Sequence, residues 1–195
     1  MTDTAVASDQ LVRRRGLTRA QYDALVDTGL LDGEPVELLG GVLVEMSAPE
    51  DAHARAITRL TRWLVPRLPD PWVLRVQLPL AVTDDSEPEP DLAVVVEPST
   101  GHPTTAVLTV EITDSSGRTD LLHKPGLYAA AAVDQYWVVD LRRCEVVVHG
   151  EPGAGTGYAT VRRQPWSTPL EVLGVQVHLA VLLKSSTVQV GPLGS

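Results

Sequence analysis

The chain is 195 residues long, 44% hydrophobic and 21% charged, with a formal net charge of -9 and a mean hydropathy of +0.03. That length supports one domain with a sizeable core, and no run reaches the roughly 18 apolar residues of a transmembrane helix. The opening Met1-Thr2-Asp3-Thr4 lacks the basic-then-apolar order of a signal peptide, and the single Cys144 cannot close an internal disulfide, so a reducing, cytoplasmic location is expected.

Residues 1–16 are polar and small and end in Arg13-Arg14-Arg15-Gly16, which predicts a flexible arm ahead of one domain over 17–183. Thr18-Arg19-Ala20-Gln21 has the form of a capping box, and Tyr22, Leu25 and Val26 repeat at helical spacing until Gly29. Val36 to Leu39 and Val42 to Met46 flank Gly40-Gly41, the signal of a tight hairpin, because primed turns need positive φ. Glu37 then reads as a strand glutamate facing solvent. From Glu50 to Leu68 the spacing is again helical, with Ile57, Leu60 and Trp63 or Leu64 on one side.

Arg55, Arg59 and Arg62 form one stripe on that helix, either a solvated face or a surface that tracks phosphates. The second reading has to work against the net charge of -9, because phosphate contacts need Lys and Arg. His53, in the first turn, reads as a surface or capping residue that could approach a cleft. Trp72 to Val82 alternates as a strand, and Gln77 on it is a candidate for orienting substrate or water. Thr83 to Pro90 is an acidic loop whose carboxylates, Asp84, Asp85, Glu87 and Glu89, are expected to be mostly solvated.

Two Val-rich runs follow, Asp91 to Glu97 and Ala106 to Ile112. Neither alternates, so both read as strands buried on two faces. The first begins with Asp91 and ends with Glu97, and the second carries Glu111 near its end. If the strands are neighbours, about 5 Å apart, Asp91 and Glu111 can converge on one divalent cation. Pro125-Gly126 disfavours a helix interior, so the next helix is expected to begin near Lys124, with Pro125 in its first turn. A lysine there can stand beside the metal. Carboxylates to hold an ion, an ion to activate water and an ammonium to steady water or phosphate are the minimum equipment for phosphodiester hydrolysis.

The rest reads as sheet: Tyr136 to Leu141, Cys144 to His149 and Tyr158 to Arg163, then a short strand and a closing turn up to Leu183. Cys144 reads as a small apolar filler in a strand. Gly153, Gly155 and Gly157 lie between two strands and make a hairpin loop, not a dinucleotide fingerprint. The five histidines have no zinc spacing, and neither a Gly-x-Ser-x-Gly elbow nor a P-loop is present. Residues 184–195 form a patternless tail whose final Gly-Pro-Leu-Gly-Ser has the look of a vector-derived remnant.

The order Glu37, Pro90-Asp91, Glu111, Lys124, Leu127-Tyr128-Ala129 and Gln135-Tyr136-Trp137-Val138-Val139-Asp140 resembles the Uma2 family, from about Leu17 to Leu183. The resemblance implies an α/β (α+β) restriction-endonuclease-like core of the PD-(D/E)XK type, with a mixed central sheet flanked by helices. It also implies an endonuclease acting on DNA with Mg2+ or Mn2+, and adds Glu37 to Asp91 and Glu111 as a metal ligand, directly or through water. In the usual motif the lysine lies two residues after the glutamate. Here Thr113 holds that position, and the resemblance assigns the role to Lys124. The family's Ser-Pro-Ser-Thr turn is replaced by Thr113-Asp114-Ser115-Ser116, which puts an extra negative charge near the site. A homodimer is expected by analogy, since cutting two strands favours two active sites. A catalytically silent nucleic-acid or protein interaction module with the same fold is the alternative.

Overall fold

The computed structural model describes residues 15–46, 50–114, 122–153 and 157–184. The expected arm up to residue 14, the turn residues Ser115 and Ser116 and the tail from 185 lie outside the described residues. In chain order the elements are α1 (Arg19–Asp27), β1 (Val36–Leu39), β2 (Val42–Glu45), α2 (Asp51–Leu64), β3 (Trp72–Val76), β4 (Leu92–Val96), β5 (Leu108–Thr113), α3 (Lys124–Ala130), β6 (Gln135–Asp140), β7 (Glu145–Gly153), β8 (Gly157–Pro165), β9 (Leu170–Val172), β10 (Val175–Val177) and α4 (Leu179–Leu183). None of the described helices is long and apolar enough to cross a membrane.

Strands β3 to β8 make one mixed sheet in sequence order. Every neighbouring pair is antiparallel except β5 and β6, which run parallel because the chain between them crosses over through α3. This is the expected α+β architecture. All six residues of β5 are buried, which is why its sequence does not alternate.

The two faces of the sheet carry separate apolar clusters. On one, Leu60 and Leu64 of α2 pack over Leu92, Val110, Ile112 and Trp137, and the β9–β10 hairpin and α4 close the layer with Val172, Val177 and Leu179. On the other, Tyr128 of α3 packs with Ala93, Val95, Tyr136 and Val138, together with Leu80 and Val82. Alternation along β5 therefore turns Val110 and Ile112 toward α2, and Thr109 and Glu111 toward α3.

The capping box forms as expected: Thr18 Oγ1 accepts from Gln21 N, and Gln21 Oε1 accepts from Thr18 N. The predicted hairpin also forms, with Gly40 and Gly41 at φ 56° and 77°. A Cβ on Gly41 would lie 2.9 Å from the Cα of Gly16, so the hairpin tip needs glycine for contact as well as for conformation. The tip is tied to the acidic loop, where Gly40 N donates to Ser86 Oγ, Gly41 N to Asp85 O, and Glu87 N to Leu38 O. These bonds carry β1, and with it Glu37, over the loop that leads to Asp91.

Three expectations change. The strand predicted over 72–82 ends at Val76, because Gln77 adopts φ 49° and breaks the extended run. Cys144 is exposed at φ 53°, between β6 and β7 rather than inside a strand. The acidic loop divides: Asp84 and Asp85 are exposed, whereas Glu87 is 4% exposed and Glu89 half-buried. The hairpin bonds that fold the loop onto β1 are what withdraw these two glutamates from water.

Candidate active site

Strands β4 and β5 pair with Leu92 opposite Val110, and Ala93 opposite Thr109. Continued by one step, that register sets Asp91 opposite Glu111, on the face shared with α3. Directly opposed residues of an antiparallel pair have Cα atoms roughly 4.5–5.5 Å apart. Asp91 is 7% and Glu111 5% exposed. Beyond the last ladder pair, Asp91 Oδ2 accepts the backbone N–H of Ile112 at 2.7 Å, so the side chain takes over where the backbone pairing stops. The same oxygen accepts from His53 Nε2 at 2.9 Å. The first turn of α2 thus reaches the site from the far side of the sheet.

Lys124 opens α3, with Pro125 in the first turn, where its missing N–H leaves no helix bond broken. The Lys124 ammonium is buried and sits 2.9 Å from Glu111 Oε1 and 3.1 Å from Glu37 Oε1. Glu37, 4% exposed, is held at its other oxygen by the backbone N–H of Glu89 at 3.0 Å. Tyr128, one turn after Lys124 on the same face, donates its hydroxyl to Glu111 Oε1 at 3.0 Å. Burial, with the Glu111 charge adding to it, holds the Tyr128 phenol well above the ordinary tyrosine range, so the hydroxyl stays a donor.

The structure therefore brings together Glu37, Asp91, Glu111 and Lys124, with His53 bonded to Asp91. Gln77 lies at the rim: its N–H donates to Asp91 O at 3.2 Å, while the residue itself is exposed. Its left-handed backbone, costly for a residue with a Cβ by about 1–3 kcal/mol, is pinned directly beside the acids. Asp114 pairs with Arg142 Nε at 3.4 Å, so the extra charge of the altered turn is offset by a guanidinium. In the sequence Tyr128 stands as part of the family pattern, and its bond to Glu111 was missed. Its position four residues after Lys124 was the available signal.

Negative charge gathers around this group. Burial and the charges of Glu37 and Glu87 push the Glu89 carboxyl up. Burial, with Asp23 adding to it, pushes Glu87 up to about 7, and Arg19 at 3.8 Å opposes this only weakly. Among the described residues no three His, Cys, Asp or Glu side chains are grouped tightly enough to make a metal cage of their own. Asp91 and Glu111 nevertheless fit Mg2+ or Mn2+ in kind. Both offer hard oxygen donors from facing positions, and such ions are commonly held by one or two carboxylates with water and substrate oxygens completing the shell. Glu37 is committed to Lys124 and the Glu89 amide.

A family model described as Uma2, putative restriction endonuclease, matches residues 19–182. Among solved structures, the chain is similar to a putative nuclease belonging to DUF820 from Anabaena variabilis ATCC 29413, with a TM-score of 0.63 and 14% identity over 81% of this chain and 96% of that one. At that identity the likeness is one of fold. No curated protein matches. With a family match that runs from the first residue of α1 into α4, the chain belongs to the Uma2 family.

Proposed function

We propose that the protein is a Mg2+- or Mn2+-dependent nuclease that hydrolyses DNA phosphodiester bonds, working as a homodimer so that each strand of a duplex meets its own site. The observation that carries this reading is the Lys124 ammonium 2.9 Å from Glu111, with Asp91 at the facing position of the neighbouring strand. Asp91 and Glu111 would hold the cation. When bound, the cation supplies a Lewis acid for a phosphoryl oxygen and makes water a better nucleophile at neutral pH.

The protein's own groups do the rest. His53 and the Ile112 N–H fix the Asp91 carboxylate, and the Tyr128 hydroxyl fixes that of Glu111. Glu37 holds Lys124 so that a positive charge stands ready where charge develops on the phosphate, at no reorganisation cost. Gln77, exposed at the rim, would orient substrate or water.

One observation favours a catalytically silent interaction module instead: Lys124 is closed between two buried carboxylates, an arrangement that satisfies itself. Incubation of supercoiled plasmid with protein and Mg2+ or Mn2+ separates the two. Cleavage by the wild type and not by Asp91→Ala supports the nuclease. Equal background from both supports the module.

A further inference from the structure

The arginine stripe of α2 is not absorbed by the site above. Its C-terminal half, with the 3-10 turn Val65–Arg67 that follows, lines a groove of about 430 Å3 against α4, bounded by Arg59, Arg62, Trp63, Arg67, Leu182 and Lys184. Among the described residues none of these four cations pairs with a carboxylate. Elsewhere Arg19, Arg55, Arg75, Arg142, Arg143 and Arg163 each face one. In a chain of net charge -9 no acid lines this groove.

We propose that this groove binds the phosphodiester backbone of the nucleic acid flanking the scissile bond, an inference that rests on the nuclease reading. Arg59 is tied to the fold, donating to the carbonyls of Leu182 and Leu183 at the end of α4. Arg62, Arg67 and Lys184 are exposed. Arg67 Cζ sits over the Trp63 ring, 3.6 Å from its centroid, and the guanidinium also donates to Trp63 O. Trp63 is anchored in turn by its indole N–H on Gln176 O. A guanidinium held this way loses little freedom when its edge meets a phosphate. Because the Trp63 face is already covered by Arg67, the groove suits a backbone track rather than base stacking.

Position supports the same occupant. His53 at the start of α2 touches the candidate ligand Asp91, and Arg62 lies nine residues further along, about 14 Å at 1.5 Å per residue. At 3.4 Å per nucleotide step along a duplex strand, that span from His53 matches about four steps. The local positive field also gives a strongly acidic protein one face on which a polyanion can approach.

Fluorescence anisotropy with a fluorescein-labelled 24-base-pair duplex in EDTA, from 50 to 200 mM KCl, reads this without any cleavage. Each phosphate contact contributes about 0.9 to the slope of log K against log salt. Arg62→Ala/Lys184→Ala is expected to weaken binding on the order of 10-fold at 100 mM KCl and to lower the slope by about two. Lys184→Ala alone should lower it by about one. Wild-type slope in both variants overturns the groove, as does displacement of the duplex by polyglutamate at equal charge. Loss of dimers in the double variant, by sedimentation, also overturns it, because the groove is then an interface between copies. Plasmid cleavage with an unchanged slope would sink the groove and leave the nuclease. A groove-dependent slope without cleavage would do the reverse, and no duplex binding at all would sink both.

Discussion

Asp91 and Glu111 occupy facing positions one step past the end of the β4–β5 ladder, where the Asp91 side chain captures the Ile112 N–H that the ladder leaves over. One carboxylate thus serves two ends, closing the strand pair and presenting oxygen beside Glu111. Substitution should separate them. Asp91→Asn keeps an oxygen to accept from Ile112 and is expected to fold, yet to lose Mn2+ binding in isothermal titration and plasmid cleavage together. Wild-type Mn2+ affinity in Asp91→Asn would remove Asp91 from the metal site.

The Lys124 ammonium lies between two buried acids, Glu37 and Glu111. Removing it takes the shared cation from between Glu37 and Glu111, so Lys124→Met should destabilise the fold by about 3–5 kcal/mol in urea denaturation. Adding Glu37→Gln to Lys124→Met should recover part of that loss, since one of the stranded charges is gone. Additive losses in the double variant would show that the pair is not coupled in the way its geometry implies.

Tyr128→Phe deletes a hydroxyl that donates to an ionisable oxygen in a dry setting. The expected cost is roughly 1.5–3 kcal/mol of stability, the range for hydrogen bonds to charged groups. Cleavage should fall while Mn2+ binding persists, because Glu111 is retained but less firmly oriented. A variant with undiminished activity would confine Tyr128 to packing.

Glu87 makes the fold pH-sensitive. Burial first, and Asp23 second, raise its carboxyl from 4.5 to about 7, so between those values the folded chain binds a proton that the unfolded chain has released. Its contribution to stability is fully present below about 4.5, shrinks as pH rises through 7 and is flat above. Glu89, also raised by burial, acts in the same direction. Glu87→Gln should therefore be more stable than the wild type at pH 8, by at most on the order of 3 kcal/mol, and the two should converge near pH 4.5. Parallel denaturant midpoints across that range would show that Glu87 does not titrate where its burial implies.

Much of this molecule was written locally. The Thr18 cap, the Gly40-Gly41 turn, the doubly buried β4 and β5 and the start of α3 at Lys124 follow from periodicity, turn chemistry and the limits Pro125 sets, all of which act within a few residues. The residue types of the candidate site were legible too, because acids at the ends of apolar strands are costly unless something uses them. What no local pattern carries is which distant groups meet. Gln77 ends β3 through a backbone conformation that its neighbours impose, and Glu87 is buried because the hairpin bonds draw its loop onto β1. His53 reaches Asp91 from a helix on the opposite face, and the basic groove exists only because α4 packs beside α2. Those outcomes depend on sheet register and layer packing, which are settled by the whole core at once and leave no signature in any single stretch of chain.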